Sequence, residues 1–266
     1  MVISGIPRST YYAVLKASQK PDKDSALKAE VAAIAKEHKG RYGYRRITGE
    51  LHNRGYNVNH KKVARIMKEA GLQSRVRIKK YRSYRGTQSR IAPNLLKRDF
   101  CATAPNQKWV TDITEIAAFG MKLYFSPILD LFNGEVISYS INFRPNYDLV
   151  DQMLMDAVEF LPTECHPILH SDQGWHYQMS RFKGSLEKYG IIQSMSRKGN
   201  CLDNACAESF FANFKSELLY INKFKNIDHM VDEIHDYIRY YNTKRIREKL
   251  GWQSPVQYRK EYEKAA

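Results

Sequence analysis

Three acidic residues in the second half of the chain lie where a carboxylate is costly. Asp112 lies within the apolar run Trp109-Val-Thr-Asp-Ile-Thr114, Asp172 follows a short apolar segment, and Glu208 lies on a helix with an apolar face. Taken singly, each acid is more often a turn or cap residue. Together they suit hard divalent cations, because Mg²⁺ prefers oxygen ligands and two ions about 4 Å apart can assist phosphoryl transfer. The three acids therefore predict a metal-dependent phosphoryl-transfer site.

Other catalytic chemistries lack their sequence signatures. No Gly-x-Ser-x-Gly motif is present for a serine hydrolase, and no Gly-x-x-x-x-Gly-Lys loop is present for an ATP-driven enzyme. The four cysteines form no Cys-x-x-Cys pair, and none precedes Cys101, so we expect reduced thiols and no zinc finger in the first 100 residues.

The acids lie in a segment whose patterning predicts an α/β domain. We predict strands over 108–119, 121–132 and 135–143, a helix over 149–160, a strand over 167–170, a helix over 180–189 and a strand over 191–195. The Asn133-Gly134 pair favours a hairpin between the second and third strands. This order is typical of a ribonuclease H-like domain with a mixed five-stranded sheet and flanking helices. Asp112 would then lie in the middle of the first strand.

Glu208 shares one edge of its predicted helix with two other polar residues. At 100° per residue, Asn204, Glu208 and Lys215 fall within about 40° of each other. They lie beside the apolar face formed by Ala207, Phe210, Phe211, Phe214 and Leu218. An amphipathic helix with ordinary surface charges would also give this pattern.

The positive charge of the chain is concentrated in its first part. The 266 residues carry a formal net charge of +15, but residues 1–100 hold 24 Lys and Arg against 7 Asp and Glu, a net charge of +17. Residues 101–266 have a net charge of −2. A basic segment joined to a near-neutral one is typical of a polyanion-binding module attached to a globular domain, and we favour nucleic acid over a merely solvated surface.

Helical periodicity in the basic part predicts three helices, over 25–38, 44–53 and 59–70, each followed by a glycine. The last two are separated by Gly55-Tyr-Asn-Val58 and predict a helix-turn-helix whose second helix carries exposed cations. The cations expected to contact DNA, without compensating acids, are Arg41, Arg45, Arg46, Lys61, Lys62 and Arg65. A solvated helix face is the alternative.

These patterns divide the chain into four parts. Residues 1–73 form a helical, helix-turn-helix-like DNA-binding region, and residues 74–100 form a basic linker in which periodicity disappears. Residues 101–222 form the ribonuclease H-like catalytic core, and residues 223–266 form a C-terminal helical extension. The chain has no run of 18 apolar residues and begins without a secretory signal pattern, so we expect a cytoplasmic protein that does not contact membranes.

The spacing and context of the acids resemble those of a known superfamily. Thirty-five residues separate Asp172 from Glu208, and Lys215 follows seven positions later. This pattern resembles the Asp-Asp-Glu transposases and integrases, and specifically the second reading frame product of the insertion sequence 3 family. The stretches that carry the resemblance are Arg41–Ile47, Asn94–Phe100, Trp109–Thr114, His170–Gly174, Ser196–Ala205, Glu208–Phe211, Tyr241–Arg245, Leu250-Gly251 and Ser254-Pro255.

The resemblance implies a bacterial DNA transposase that cleaves DNA strands and transfers them to a target. Asp112, Asp172 and Glu208 would be the catalytic and metal-binding residues for two Mg²⁺ ions, with Mn²⁺ as the alternative ion. DNA contacts near the site are expected from Asn204, Arg197, Lys198 and Lys215. The expected partners are the terminal inverted repeats of the element, target DNA, further copies of the chain and the upstream reading frame product. Such an enzyme would associate with the bacterial nucleoid.

Two alternative functions remain open on sequence grounds. A stand-alone metal-dependent nuclease of the same fold would cut DNA without joining it. A catalytically silent DNA-binding regulator of transposition would use only the basic part.

Overall fold

The computed structural model describes residues 7–18, 23–74, 91–197 and 201–265. The chain divides into two compact units, Met1–Ser74 and Arg75–Ala266. Of the sequence expectations, Lys198 and most of the predicted linker lie outside the described residues.

The first unit is helical. Its helices are α1 (Arg8–Ser18), α2 (Ser25–Glu37), α3 (Tyr44–Asn53) and α4 (His60–Glu69). Their fully buried side chains are Val31, Ile34, Ile47, Leu51, Val63 and Ile66. The Asn59 side chain caps α4 by accepting a hydrogen bond from the Lys61 backbone N–H at 2.8 Å. The last two helices therefore begin and end close to the predicted positions, and α1 was not predicted.

Some of the cations of the first unit that were expected to contact DNA form ion pairs within the unit. Lys62 Nζ lies 2.7 Å from Asp24 Oδ1, and Arg65 lies 3.1 Å from Asp24 and 2.8 Å from Glu69. Arg41 is buried, with 8% of its surface exposed. The expectation that these cations lack compensating acids was therefore wrong for Lys62 and Arg65. The fold brings Asp24 onto α4 from a position 38 to 41 residues earlier in the chain, which periodicity does not reveal.

The second unit is built on a mixed sheet. Its strands are β1 (Lys108–Thr111), β2 (Thr114–Ala118), β3 (Met121–Asp130), β4 (Val136–Asn142), β5 (Ile168–Ser171) and β6 (Ile192–Met195). One edge of β3 pairs antiparallel with β1 and β2, and the other edge pairs antiparallel with β4. β5 is parallel to β1, and β6 is parallel to β5. Gly134, at φ 72°, supports the predicted turn between β3 and β4.

The first predicted strand is interrupted at Asp112. Thr111 pairs with Ile128 and Thr114 pairs with Phe125, so β1 and β2 keep one register on β3 across a gap of two residues. That register puts Asp112 opposite Pro127, which has no N–H to donate to a neighbouring strand. Asp112 therefore lies at a break between two strands and not in the middle of one. With β1 and β2 counted as one interrupted strand, the sheet has the five predicted positions.

Helices cover both faces of this sheet. They are α5 (Tyr147–Glu159), α6 (Trp175–Gln178), α7 (Ser180–Lys188), α8 (Ala205–Phe214), α9 (Ile227–Thr243) and α10 (Pro255–Ala265), and a π-helical turn, Lys215–Leu219, continues α8. Val110 belongs to a core with the aromatic residues of α8 and α9, whereas its neighbour Trp109 belongs to a core with α5 and α7. Successive strand residues point to opposite faces, so the sheet separates two apolar layers.

Residues 91–100 were expected in the linker, but they belong to the second unit and pack against its sheet. Leu96 is 3% exposed and belongs to the same core as Val110. The Leu95 N–H donates a hydrogen bond to Ser194 Oγ at 2.9 Å, and the Met195 N–H donates to the Pro93 carbonyl at 3.3 Å. These contacts join the segment to β6. Among the described residues, no helix is both long and apolar enough to cross a membrane.

Candidate active site

Asp112 and Asp172 lie at the same level on neighbouring strands. β1 and β5 are parallel with Val110 opposite His170, so the same register puts Asp112 opposite Asp172 just past the end of each strand. Neighbouring strands lie about 4.8 Å apart. Both side chains are half-buried. The sheet therefore places two carboxylates side by side at the carboxyl ends of parallel strands, where α/β folds commonly bind their ligands.

Each carboxylate is held by one backbone hydrogen bond. Asp112 Oδ1 accepts from the Ile113 N–H, and Asp172 Oδ1 accepts from the Gly174 N–H, both at 2.8 Å. Within the described part of the chain, no Lys or Arg forms an ion pair with either acid. Backbone donors alone fix their orientation.

The site raises the pKa of both acids. Burial first, and then the negative charge of Asp172, raise the pKa of Asp112 to about 8. Burial also raises the pKa of Asp172. Ionising two neighbouring carboxylates together is unfavourable where water is partly excluded, because the two negative charges repel each other. The metal-free pair therefore favours holding a proton, and a bound cation would favour releasing it.

A buried polar layer lies beneath the pair. The Tyr177 hydroxyl lies 3.4 Å from Thr111 Oγ1, and both Thr111 and Ser126 donate to Met153 Sδ, at 3.4 and 3.1 Å. Burial raises the pKa of the Tyr177 hydroxyl well above its usual value, with a further contribution from the charges of Asp112 and Asp172. Tyr177 therefore stays protonated and neutral beneath the acids.

Glu208 lies in the first turn of α8 with its side chain exposed. Its charge contributes to raising the pKa of Asp112, so the helix brings it into the neighbourhood of the pair. Among the described residues, however, no three His, Cys, Asp or Glu side chains are close enough together to form a ready-made metal site. The structure brings two of the three predicted acids together, with the third beside them and turned towards solvent.

Asn204 and Lys215 lie at the two ends of α8. Asn204 is the N-cap residue, 5% exposed, and its Oδ1 has no hydrogen-bond partner among the described residues. Lys215 is half-buried and begins the π-helical turn, and its charge acts to lower the pKa of Asp112. Both residues are thus near Glu208 on its helix, although the predicted regular helix changes type at Lys215.

Arg197 is engaged by an acid that sequence reasoning did not single out. Asp203 is fully buried and accepts hydrogen bonds from Arg197 Nε at 2.8 Å and Nη2 at 3.0 Å. Arg98 Nε donates to the same carboxylate at 2.9 Å. Arg197 first, with Arg98, holds the pKa of Asp203 well below its usual range. Arg98, Arg197 and Asp203 all lie in stretches that carry the family resemblance, which was the available signal.

The remaining predicted DNA contacts lie in the first unit. Arg45 and Arg46 are on α3, with their guanidinium groups 5.9 Å from the Tyr44 ring centroid and 5.7 Å from that of Tyr42. Lys61 is exposed on α4 and forms no ion pair within the described part of the chain. The unit thus presents cations on two successive helices, of which Lys61 is the least engaged.

Comparison with known proteins matches each part of the chain. Residues 21–80 match a family model described as an HTH-like domain, and residues 102–201 and 208–262 match two models described as integrase core domains. The protein named "Putative transposase InsK for insertion sequence element IS150" from Escherichia coli is 53% identical over 96% of this chain and 90% of its own. The transposase InsF for insertion sequence IS3A from Escherichia coli is 35% identical over 86% of this chain and 80% of its own.

A solved structure shares the fold at lower identity. The solved structure is the intasome of simian T-cell lymphotropic virus in complex with the PP2A regulatory subunit B56 gamma. The match to one of its chains covers 85% of this chain and 73% of that chain. Its sequence identity is 18% and its TM-score is 0.50. The predicted ribonuclease H-like fold class, preceded by a helical HTH-like domain, is confirmed.

The fold and the matched domains define a polynucleotidyl transferase with an integrase core. The chain belongs to the insertion-sequence transposases of the family that includes the IS3 and IS150 proteins, so it is a DNA transposase. The predicted family and enzyme class are confirmed.

Proposed function

We propose that Asp112, Asp172 and Glu208 are the catalytic residues of this transposase and that they hold two Mg²⁺ ions, with Mn²⁺ as an alternative. The proposal is carried by the alignment of Asp112 with Asp172 at the ends of two parallel strands. Their raised pKa values support it, because burying two like charges side by side is unfavourable without a cation.

The donor set fits a hard divalent cation. Carboxylate oxygens are the ligands that Mg²⁺ prefers, and no Lys or Arg in the described ranges forms an ion pair with Asp112 or Asp172. A related fold, the integrase catalytic core of HTLV-2, has been solved in complex with magnesium. When bound, the metal would supply Lewis-acid activation of the attacking oxygen and charge stabilisation at the leaving oxygen.

The residues of the chain would divide the remaining tasks. Asp112 and Asp172 would hold the cation through their carboxylate oxygens, while the Ile113 and Gly174 N–H groups keep these side chains oriented. Glu208 joins them from α8. Lys215 contacts the DNA next to the scissile phosphate, and Asn204, Arg197 and Lys198 contact the adjoining strand. The same groups then serve strand transfer, in which a freed 3′-hydroxyl replaces water as the attacking group.

The first unit would hold the ends of the element. Arg45, Arg46, Lys61, Lys62 and Arg65 contact phosphates of the terminal inverted repeats, and the unit works in an assembly of several copies on paired ends. The upstream reading frame product is a further proposed partner. Such an enzyme acts on the bacterial nucleoid in the cytoplasm.

Conservative substitutions test the catalytic assignment. We expect Asp112→Asn, Asp172→Asn and Glu208→Gln each to reduce cleavage of an element-end duplex by more than the roughly 10–100-fold typical of outer-shell changes around a metal. Glu115→Gln is the matched control, because Glu115 is exposed on β2 and paired with Lys122. Retained activity of Asp172→Asn in Mg²⁺ would overturn the assignment.

A joining assay separates transposase from the two alternatives. The purified protein should transfer the 3′-hydroxyl end of a labelled duplex into target plasmid DNA. Cutting without joining would indicate a nuclease, and tight binding without cutting would indicate a regulator.

A further inference from the structure

The buried Asp203 carboxylate joins three separate segments of the catalytic unit. It accepts hydrogen bonds from Asn94 Nδ2 at 2.9 Å, from Arg98 Nε at 2.9 Å, and from the backbone N, Nε and Nη2 of Arg197 at 3.1, 2.8 and 3.0 Å. We call these four residues the Asp203 cluster. Its side-chain exposure is 0% at Asp203, but 44% at Arg98 and 59% at Arg197. Five hydrogen-bond donors to one buried carboxylate hold its position and that of the segments that supply them.

The backbone of Asp203 is fixed as well. His170 Nε2 donates to the Asp203 carbonyl at 3.0 Å, and His170 Nδ1 accepts from Ser194 Oγ at 2.8 Å. Ser194 Oγ in turn accepts from the Leu95 N–H at 2.9 Å. The directions of these hydrogen bonds are mutually consistent, because the Asp203 carbonyl can only accept and a neutral imidazole has one donor and one acceptor nitrogen. Asp203 is therefore connected to β5 at the residue two positions before Asp172.

Asp203 also lies directly before the start of α8. It lies in the 3-10 turn Cys201–Asn204, directly before the helix that carries Glu208 in its first turn. Asn204 provides no side-chain cap for α8. The start of α8 is thus held through Asp203, which contacts β5 on one side and residues 94–98 on the other.

We propose that Asp203 is a positioning residue of the transposase, which sets the placement of Glu208 relative to Asp172. The inference rests on the proposed function, because it assumes that Glu208 works with the two strand acids. It assigns a role to the Asn94–Phe100 and Ser196–Ala205 stretches, because side chains of both stretches donate hydrogen bonds to the Asp203 carboxylate.

The test compares Asp203→Asn with Asp99→Asn. Asp99 is 67% exposed, close to the cluster in sequence, and paired with Lys108 outside it. We expect Asp203→Asn to raise the Mg²⁺ concentration for half-maximal cleavage about 10-fold, since Mg²⁺ demands near-ideal ligand geometry. DNA affinity without metal should change less than about 2-fold. Asp99→Asn should match the wild type in both measurements.

Hydrogen exchange gives a readout that is independent of catalysis. In Asp203→Asn the amides of residues 204–210 should exchange faster, while those of β1 and β3 should not change. Unchanged exchange at residues 204–210, or an unchanged Mg²⁺ requirement, would overturn the proposal. Loss of metal-free DNA binding in parallel with cleavage would also overturn it, because Asp203 would then act by orienting Arg197 towards DNA and not by placing Glu208.

A second variant keeps the test valid if Asp203→Asn does not fold. Arg98→Ala removes one donor at the surface and leaves Arg197 in place, so it should shift the Mg²⁺ requirement in the same direction by a smaller factor. No shift would count against the proposal. If Glu208→Gln proves fully active, the proposed function fails, whereas a normal Asp203→Asn beside an inactive Glu208→Gln rejects only the positioning role.

Discussion

The guanidinium of Arg245 donates two hydrogen bonds to the carboxylate of Glu217, at 2.7 and 2.8 Å. Their side chains are only 2% and 8% exposed, and the Tyr237 hydroxyl also donates to Glu217 at 3.2 Å. Glu217 lies in the π-helical turn that begins at Lys215. This pair therefore connects the segment after α9 to the turn that carries a proposed DNA contact.

Breaking this pair from one side should be strongly destabilising. Arg245→Met leaves Glu217 buried without its cation, and we expect it to lower the free energy of unfolding by about 3–5 kcal/mol. Urea denaturation measures the loss. Arg239→Met is the control, because Arg239 is 76% exposed and its contact with Asp236 should contribute less than about 1 kcal/mol. A double variant, Arg245→Met with Glu217→Leu, should recover much of the stability, and equal losses in the single and double variants would contradict this explanation.

Asp112 should contribute a fall in the stability of the metal-free protein as pH rises. The pKa of Asp112 is about 8 in the folded chain, above the value of about 4 for an unfolded Asp. Between these values the folded protein keeps a proton that the unfolded chain has released, so rising pH favours unfolding.

Thermal melts in chelator, from pH 5 to pH 8.5, measure this dependence. Asp112→Asn should remove the part of the fall in stability that is due to Asp112. The histidines contribute equally to the pH dependence of both proteins, so their effect cancels when the two melting curves are compared. Saturating Mg²⁺ should reduce the fall in the wild type, because the metal binds the deprotonated acids. Parallel curves for wild type and variant would show that Asp112 does not titrate in this range.

The two neighbouring lysines at the start of α4 should differ in their contribution to DNA binding. Lys61 is exposed without an ion pair in the described part of the chain, whereas Lys62 lies 2.7 Å from Asp24. We expect Lys61→Ala to reduce the slope of log K against log salt by about 0.9, the value for one phosphate contact. Lys62→Ala should reduce it less. Equal slopes for the two variants, measured by salt titration of DNA binding, would contradict this distinction.

Arg259 should be required for α10 to remain docked. It contacts Asp130 at 2.8 Å and Glu135 at 2.6 Å, and the Asp130 side chain is fully buried. Arg259→Ala leaves a buried carboxylate without its cation, so we expect a fall in melting temperature of several degrees. The neighbouring Lys260 is exposed, and Lys260→Ala should leave the melting temperature nearly unchanged. The backbone N–H groups of Asn106 and Phe132 also donate to Asp130, at 2.9 and 3.0 Å, and a normal melt of Arg259→Ala would show that these two donors are sufficient.

Local signals in the sequence predicted much of the fold. Periodicity located α3 and α4, and Asn133-Gly134 located the β3–β4 turn, because these features depend on residues close together in the chain. The acids were found by their apolar contexts and their spacing. The register of β1 with β5, which aligns Asp112 with Asp172, follows only once the sheet order is known.

The features that sequence reasoning missed depend on distant residues. The break at Asp112 arises from Pro127, fifteen positions later, and is visible only through the strand register. Asp203 meets Asn94 across 109 residues, and Glu217 meets Arg245 across 28. Leu218 is buried as the regular helical period predicted, but the π-helical turn and the burial of Glu217 beside it were not predicted.

The contact between Arg259 and Asp130 can form only late in synthesis of the chain. Asp130 leaves the ribosome 129 residues before Arg259, which at about 5–20 residues per second is roughly 6–26 s. During that interval the acid at the end of β3 has no cation from α10, and the sheet lacks one of its outer helices. The nascent chain can acquire the basic helices of its first unit early, but this ion pair forms only when synthesis is nearly finished.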